Sequence, residues 1–183
     1  NQKSVKQIKT TDLLGAANGK KPRHIIAGAG AVWVTTYGGY VAAIDTTTFT
    51  LRKSYKVGSY PEGLTAAKNF IYVANSDWGN GNGSISKINL ATDEVKEFKI
   101  EGIKNPQAIY VNPTGVYVLD WGSYDASYNQ LGAGLKILKT KNGKDIAEDV
   151  VPNATLVSYY RGSFYTVNAP YGAPTVSYSI YDP

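Results

Sequence analysis

Along most of the chain, apolar and polar residues alternate with a period of two. The runs are short and are punctuated by glycine, proline, asparagine and aspartate. Trp33-Val34-Thr35-Thr36, Tyr72-Val73-Ala74-Asn75, Tyr117-Val118-Leu119-Asp120 and Tyr165-Thr166-Val167-Asn168 are four such runs. Alternation of this kind, rich in β-branched and aromatic residues, predicts β-strands, because successive side chains point to opposite faces of a pleated sheet. No long amphipathic helix is expected. Residues 11–20 have room for one helical turn, although their Gly and Asn favour a loop.

The runs belong to a repeat. Pro22-Arg23-His24-Ile25, Pro61-Glu62-Gly63-Leu64, Pro106-Gln107-Ala108-Ile109 and Pro152-Asn153-Ala154-Thr155 follow one another at intervals of 39, 45 and 46 residues. Each is followed by one of the four aromatic-led runs above. A third strand comes next (40–45, 84–89, 134–138, 175–182), then a polar turn and, in three units, a closing strand (50–57, 94–100, 145–150). A four-strand unit of about 40 to 50 residues is the period of a propeller blade. The fold class predicted is therefore all-β, a β-propeller of four blade equivalents over residues 1–183. The units run approximately 22–58, 59–102, 103–150, and 151–183 plus 1–12. The fourth lacks its last strand, and the alternating segment Ser4 to Thr10 is expected to supply it, antiparallel to residues 175–181. Closure of this kind removes exposed sheet edges.

These residues resemble the YVTN-type, surface-layer-like β-propeller repeat of bacterial cell surfaces. That resemblance rests on Tyr72-Val73-Ala74-Asn75, Ile44-Asp45, Val57-Gly58 and Pro61-Glu62-Gly63-Leu64, and covers nearly the whole chain. The third unit departs from it through a long insertion, 123–133. Propellers of this group usually carry about seven blades, so the resemblance leaves three arrangements open. The chain is a portion of a larger propeller, or two chains form a homodimer completing a larger ring, or a small ring closes on itself.

Composition narrows the chemistry. Cys and Met are both absent, which excludes disulfides, thiolate metal sites and a cysteine nucleophile within these residues. The formal net charge is +5, but the lysines are scattered and only Arg23, Arg52 and Arg161 are arginines. Nucleic-acid binding calls for a dense basic stripe, so no nucleic acid is expected. No apolar run reaches the length of a membrane span. The first residues, Asn1-Gln2-Lys3-Ser4, suit a mature or excised segment, and a cell-envelope, surface-exposed, periplasmic or secreted location follows from the resemblance. Fifteen tyrosines against four phenylalanines exceed what a core needs. Tyrosine suits half-buried strands, and it also suits binding faces.

Two sets of positions are candidates for binding. The residues after each proline, Arg23 and His24, Glu62, Gln107 and Asn153, are expected at the mouth of the central channel. The links between second and third strands repeat an aromatic–glycine pair: Tyr37-Gly38, Trp78-Gly79, Trp121-Gly122 and Tyr171-Gly172, with Tyr124 in the long third link. Alternating strand direction brings both sets to one face, where the aromatics would form a collar for a small, ring-shaped or sugar-like molecule. Packing between units explains the same aromatics equally well.

No catalytic set is expected. His24 is the single histidine, and Asp77-Trp78-Gly79-Asn80-Gly81 lacks the acid spacing of a calcium loop. The sequence implies no cofactor and no metal ligands. The reading that follows is a non-catalytic binding propeller that captures a small molecule, a glycan or another envelope protein. A lactonase- or lyase-like propeller with an axial metal, and a purely architectural scaffold, stay open as alternatives.

Overall fold

A computed structural model describes residues 6–183. After a single helical turn, α1 (Thr10–Leu14), the chain is built from antiparallel strands in sequence order. The first sheet holds β1 (Pro22–Gly28), β2 (Ala31–Thr36), β3 (Tyr40–Ile44) and β4 (Leu51–Lys56). The second holds β5 (Pro61–Ala67), β6 (Phe70–Asn75), β7 (Ser84–Asn89) and β8 (Val95–Phe98). The third holds β9 (Pro106–Asn112) and β10 (Gly115–Asp120), then, beyond a small hairpin of β11 (Ser123–Tyr124) and β12 (Gln130–Leu131), β13 (Gly134–Lys141) and β14 (Lys144–Pro152). The fourth has three strands, β15 (Ala154–Tyr160), β16 (Ser163–Asn168) and β17 (Ser177–Tyr181). In each sheet every strand lies beside the next, and short turns with left-handed residues such as Ala29, Lys68, Asn142 and Arg161 join them.

Register makes the units comparable residue by residue. Pro22 pairs with Thr36, Pro61 with Asn75, Pro106 with Asp120, and Ala154 with Asn168. Immediately after this pair each first strand carries one extra residue, a β-bulge. A bulge turns a side chain away from its regular direction and is common beside functional sites. The structure corrects one sequence expectation here. Pro152 ends β14 and does not begin an inner strand; β14 runs into β15 through Asn153 alone, in a left-handed conformation (φ 65°) with its N–H donated to Ala133 O. Thr155, not Asn153, therefore matches Glu62 and Gln107.

The sheets pack face to face in chain order, and each interface repeats the last. Trp33, Val41, Ala43 and Tyr55 of the first sheet bury against Leu64, Ile71, Val73 and Ile88 of the second. Ala74 and Ile85 of the second meet Ile109 and Val118 of the third, with Ile100 and Ile103 between. Tyr117, Leu119 and Leu135 of the third meet Ala154 and Phe164 of the fourth. Alternation along each strand thus serves two neighbours, one on each face. Close approach requires glycine at position 63: a Cβ there would fall 2.7 Å from Gln107 O and 2.8 Å from Ala108 Cα.

The amino-terminal segment also departs from expectation. Ser4 and Val5 lie outside the described residues. Lys6 to Lys9 pair with no strand, and β17 has a neighbour on one side only among the described residues. Ile8, Leu13 and Leu14 pack instead on Val34, Ala42 and Ile44 of the first sheet, and the Lys6 ammonium sits 4.9 Å from the Phe49 ring centre. Among the described residues no other sheet covers that apolar face of the first sheet, and the segment is held against it.

Candidate functional site

Where the first and second sheets meet, the bulge after Pro61 buries the Glu62 carboxylate among donors. Arg23 Nε donates to Glu62 Oε2 at 2.9 Å and the Tyr37 hydroxyl donates to Oε1 at 2.7 Å. Ser76 Oγ donates to Oε1 at 3.5 Å, and His24 Nε2 lies 3.8 Å from Oε2. The Thr35 hydroxyl ties the backbone by donating to Glu62 O at 2.8 Å. Buried carboxylates persist only when paired and hydrogen-bonded, and this one has a partner on each oxygen. Burial, followed by the bond to Glu62, pushes the Tyr37 phenol up to about 12, so it stays a donor throughout the physiological range. Burial lowers His24 against the pull of Glu62, which keeps its imidazole neutral at pH 7.

An aromatic cluster sits over this carboxylate. Tyr37 meets Tyr60 edge-on at 5.1 Å and Trp78 edge-on at 5.7 Å, Tyr60 and Trp78 lie 5.3 Å apart, and the Arg23 guanidinium covers Tyr37 at 4.8 Å. Trp78 remains 60% exposed. Its backbone is left-handed (φ 57°), as are those of Asp77 and Tyr60. Ser76 Oγ accepts from Trp78 N. Tryptophan in that region is strained, and such strain gathers at functional sites. Tyr60 and Ser76 were missing from the sequence candidates. The clue to Tyr60 was its place beside Pro61, the residue that opens β5.

The four aromatic–glycine pairs do not occupy one position. Counted from Thr36, Asn75, Asp120 and Asn168, Tyr37 and Trp121 come one residue later, whereas Trp78 and Tyr171 come three later. The two sets behave differently. Tyr37 reaches Glu62 on the next sheet, and Trp121 Nε1 donates to Thr155 O on its next sheet at 2.9 Å, so both clamp neighbours at matching sites. Trp78 and Tyr171 are the exposed pair. A single collar of four equivalent aromatics is therefore absent.

The first strands of all four sheets line a central cavity of about 510 Å³, whose walls include Arg23, His24, Gln107, Trp121, Thr155 and Leu156. Gln107 is held by donating to Asn105 Oδ1 at 2.7 Å. Arg23, His24, Tyr37, Glu62 and Trp78 are thus contiguous, with Gln107 and Trp121 across the cavity. Asn153 and Tyr171 lie apart, in a polar cleft of about 390 Å³ that Gln130 also lines. Tyr124 is exposed on the β11–β12 hairpin. Among the described residues no three His, Cys, Asp or Glu side chains come together as a metal site, and no helix is long and apolar enough to cross a membrane.

Comparison with known proteins finds no matching family model and no curated relative. Solved structures do match. All of this chain superposes on 49% of a Kuenenia stuttgartiensis hydrazine synthase chain, at 19% identity and a TM-score of 0.64. The computationally designed Ika4 protein matches over 89% of this chain and 91% of its own, at 10% identity and a TM-score of 0.59. The computationally designed Ika8 protein matches over 88% of this chain and 46% of its own, at 10% identity and a TM-score of 0.54. The chain spans about half the length of the hydrazine synthase chain it matches. At such identities the likeness is one of fold: an all-β chain of repeated antiparallel sheets, shared with propeller-like proteins.

Proposed function

We propose that the four sheets are successive blades of a β-propeller of the YVTN-type, surface-layer-like kind. Its role would be non-catalytic, the capture of a small ring-shaped molecule or glycan at the face where the first and second sheets meet. One observation carries this reading. A buried, fully partnered Glu62 fixes Arg23 and Tyr37 beside an indole that the chain holds exposed in an unfavourable backbone conformation. Flat ligands stack on exposed indoles, and a neighbouring guanidinium supplies the polar contact. Every acceptor oxygen of Glu62 is already engaged, so its part is to orient these groups. The cell-envelope setting is carried by the resemblance of the repeat.

The test is a fluorescence titration against soluble glycans and planar, cofactor-like rings. A saturable ligand is expected, and Trp78→Ala should weaken it by about 1–3 kcal/mol, roughly five- to a hundred-and-fiftyfold in Kd, as for a hot-spot aromatic. Because Trp78 is mostly solvent-facing, its melting temperature should stay within a degree or two of the parent. Binding that is indifferent to Trp78 would move the ligand elsewhere. A large rise in melting temperature with calcium or zinc would favour the axial-metal enzyme instead.

A further inference from the structure

The two ends of the stack are the unpaired halves of its own repeating interface. Within the chain, one face of each sheet packs on the opposite face of the next. In the fourth sheet the positions matching Trp33, Val41 and Ala43 are Tyr165, Tyr178 and Ile180, and among the described residues no sheet covers them: Tyr178 is 79% and Ile180 66% exposed. In the first sheet the positions matching Leu64 and Ile71 are Ile25, 68% exposed, and Val32. These two line an apolar groove of about 590 Å³ with Ile8, Val34, Ile44 and Phe49. One end thus presents the face that the other end lacks.

Strand number tells the same story. The fourth sheet has three strands where the others have four, and the free edge of β17 is unpaired among the described residues. The first sheet, conversely, has Lys6 to Lys9 lying over its outer part with Ile8 turned inward and Lys9 in an extended conformation (φ −88°, ψ 123°). That is the place an outer strand of a preceding sheet would take, as Tyr55 on β4 packs against Ile88 of the following sheet. The groove beside it is the room for that sheet's three inner strands.

We propose that two copies of this chain join head to tail at both ends. The fourth sheet of each copy would fill the groove of the other, and the Lys6–Lys9 segment of each would run beside β17 of its partner. Three strands from one copy and one from the other would make each junction a four-stranded sheet, leaving neither an apolar face nor a sheet edge open. The second copy is favoured by the chain itself, since its fourth sheet carries at Tyr165, Tyr178 and Ile180 the positions with which Trp33, Val41 and Ala43 bury the next sheet. The pairing needs no ligand, so it stands or falls apart from the binding reading.

Sedimentation equilibrium at micromolar concentrations should give twice the chain mass, without further growth. Ile180→Glu, at one end, and Ile25→Glu, at the other, should each abolish that species while leaving the far-ultraviolet circular dichroism unchanged. Tyr178→Ser is the milder variant should either fold poorly. Val32→Cys and Ile180→Cys match positions that share a core cluster within the chain, and the chain has no other thiol. A short bismaleimide should therefore link these two variants when mixed and link neither alone. A parent protein of single mass, a mass that climbs with concentration, or indifference to both glutamates would overturn the pairing. So would linkage of the double variant within one chain, which would mean that the four sheets close on themselves.

Discussion

Phe164→Ala should destabilise the fold by about 3–5 kcal/mol, the range for removing a buried aromatic side chain from a core that cannot collapse around the gap. Phe164 is fully buried where the third and fourth sheets meet. Its ring lies 4.7 Å from Tyr117, 4.6 Å from Tyr159, 5.6 Å from Tyr110 and 6.3 Å from Tyr181. Four aromatic neighbours have large, stiff side chains, so little of the vacated volume can be refilled. Within one chain the described residues pack the fourth sheet on the third alone, so the loss falls on that interface. In urea unfolding the midpoint should drop sharply. Tyr128→Ala, at a position 73% exposed on the β11–β12 turn, should stay within about 0.5 kcal/mol of the parent. Equal effects at the two positions would mean that the third and fourth sheets are not packed through this ring.

Much of the strand order was legible because one sheet-forming pattern recurs, and alternation forces each recurrence into the same register. Pro22, Pro61 and Pro106 mark inner-strand starts because a first strand position tolerates a missing N–H. Pro152 misled because the third and fourth units share no linker: one left-handed Asn153 turns the chain directly from β14 into β15. Asp77-Trp78-Gly79 and Asp120-Trp121-Gly122 read as equivalents, yet Asp120 ends its strand whereas Asp77 lies two residues beyond the end of β6. Identical tripeptides therefore put one indole in solvent and the other on Thr155. Register decides this, and register follows from pairing that no local spelling records. The alternation of Ser4 to Thr10 reads as the missing outer strand of the fourth sheet, but Lys6 to Lys9 pair with no strand, Ile8 packs on the first sheet and Thr10 opens α1. The Glu62 cluster was half legible: the positions after Pro22 and Pro61 singled out Arg23, His24 and Glu62, which meet, whereas Ser76 stands outside the repeated motifs.

Asp120→Ala should cost about 3 kcal/mol at pH 7, and Asp120→Asn combined with Lys136→Ser should recover most of that. Asp120 closes β10 at the position that Asn75 and Asn168 hold in the second and fourth sheets. There the amide donates to two hydroxyls on the third strand: Asn75 Nδ2 to Ser84 (3.1 Å) and Ser86 (2.9 Å), Asn168 Nδ2 to Ser177 (3.2 Å) and Ser179 (2.7 Å). In the third sheet the corresponding residues are Gly134 and Lys136, so the carboxylate turns to the linker, accepting from Asn105 N at 2.6 Å, with Lys136 nearby. Alanine leaves that buried N–H without an acceptor and takes a negative charge from the neighbourhood of Lys136, which is itself buried and ion-paired with Asp149 at 3.0 Å. A buried N–H left unsatisfied costs on the order of 1–3 kcal/mol, and more where the lost acceptor was charged. Asparagine keeps the acceptor, and serine at 136 restores the hydroxyl that Ser86 and Ser179 offer, so the two changes should be coupled by about 1 kcal/mol or more in a double-mutant cycle. The pH dependence has a definite sign. Burial pushes the Asp120 carboxyl above its ordinary value, against the Asn105 N–H and Lys136. The folded state therefore binds this proton more tightly than the unfolded chain, and the site gains stability as pH falls from the raised folded value toward the unfolded one. The penalty of Asp120→Ala should accordingly widen as the pH is lowered through that window. The Asp120→Asn, Lys136→Ser protein should carry no such contribution from this site. A penalty that instead narrows toward acid would mean that the ionised carboxylate is the form the fold prefers, with the contacts to Asn105 and Lys136 outweighing burial.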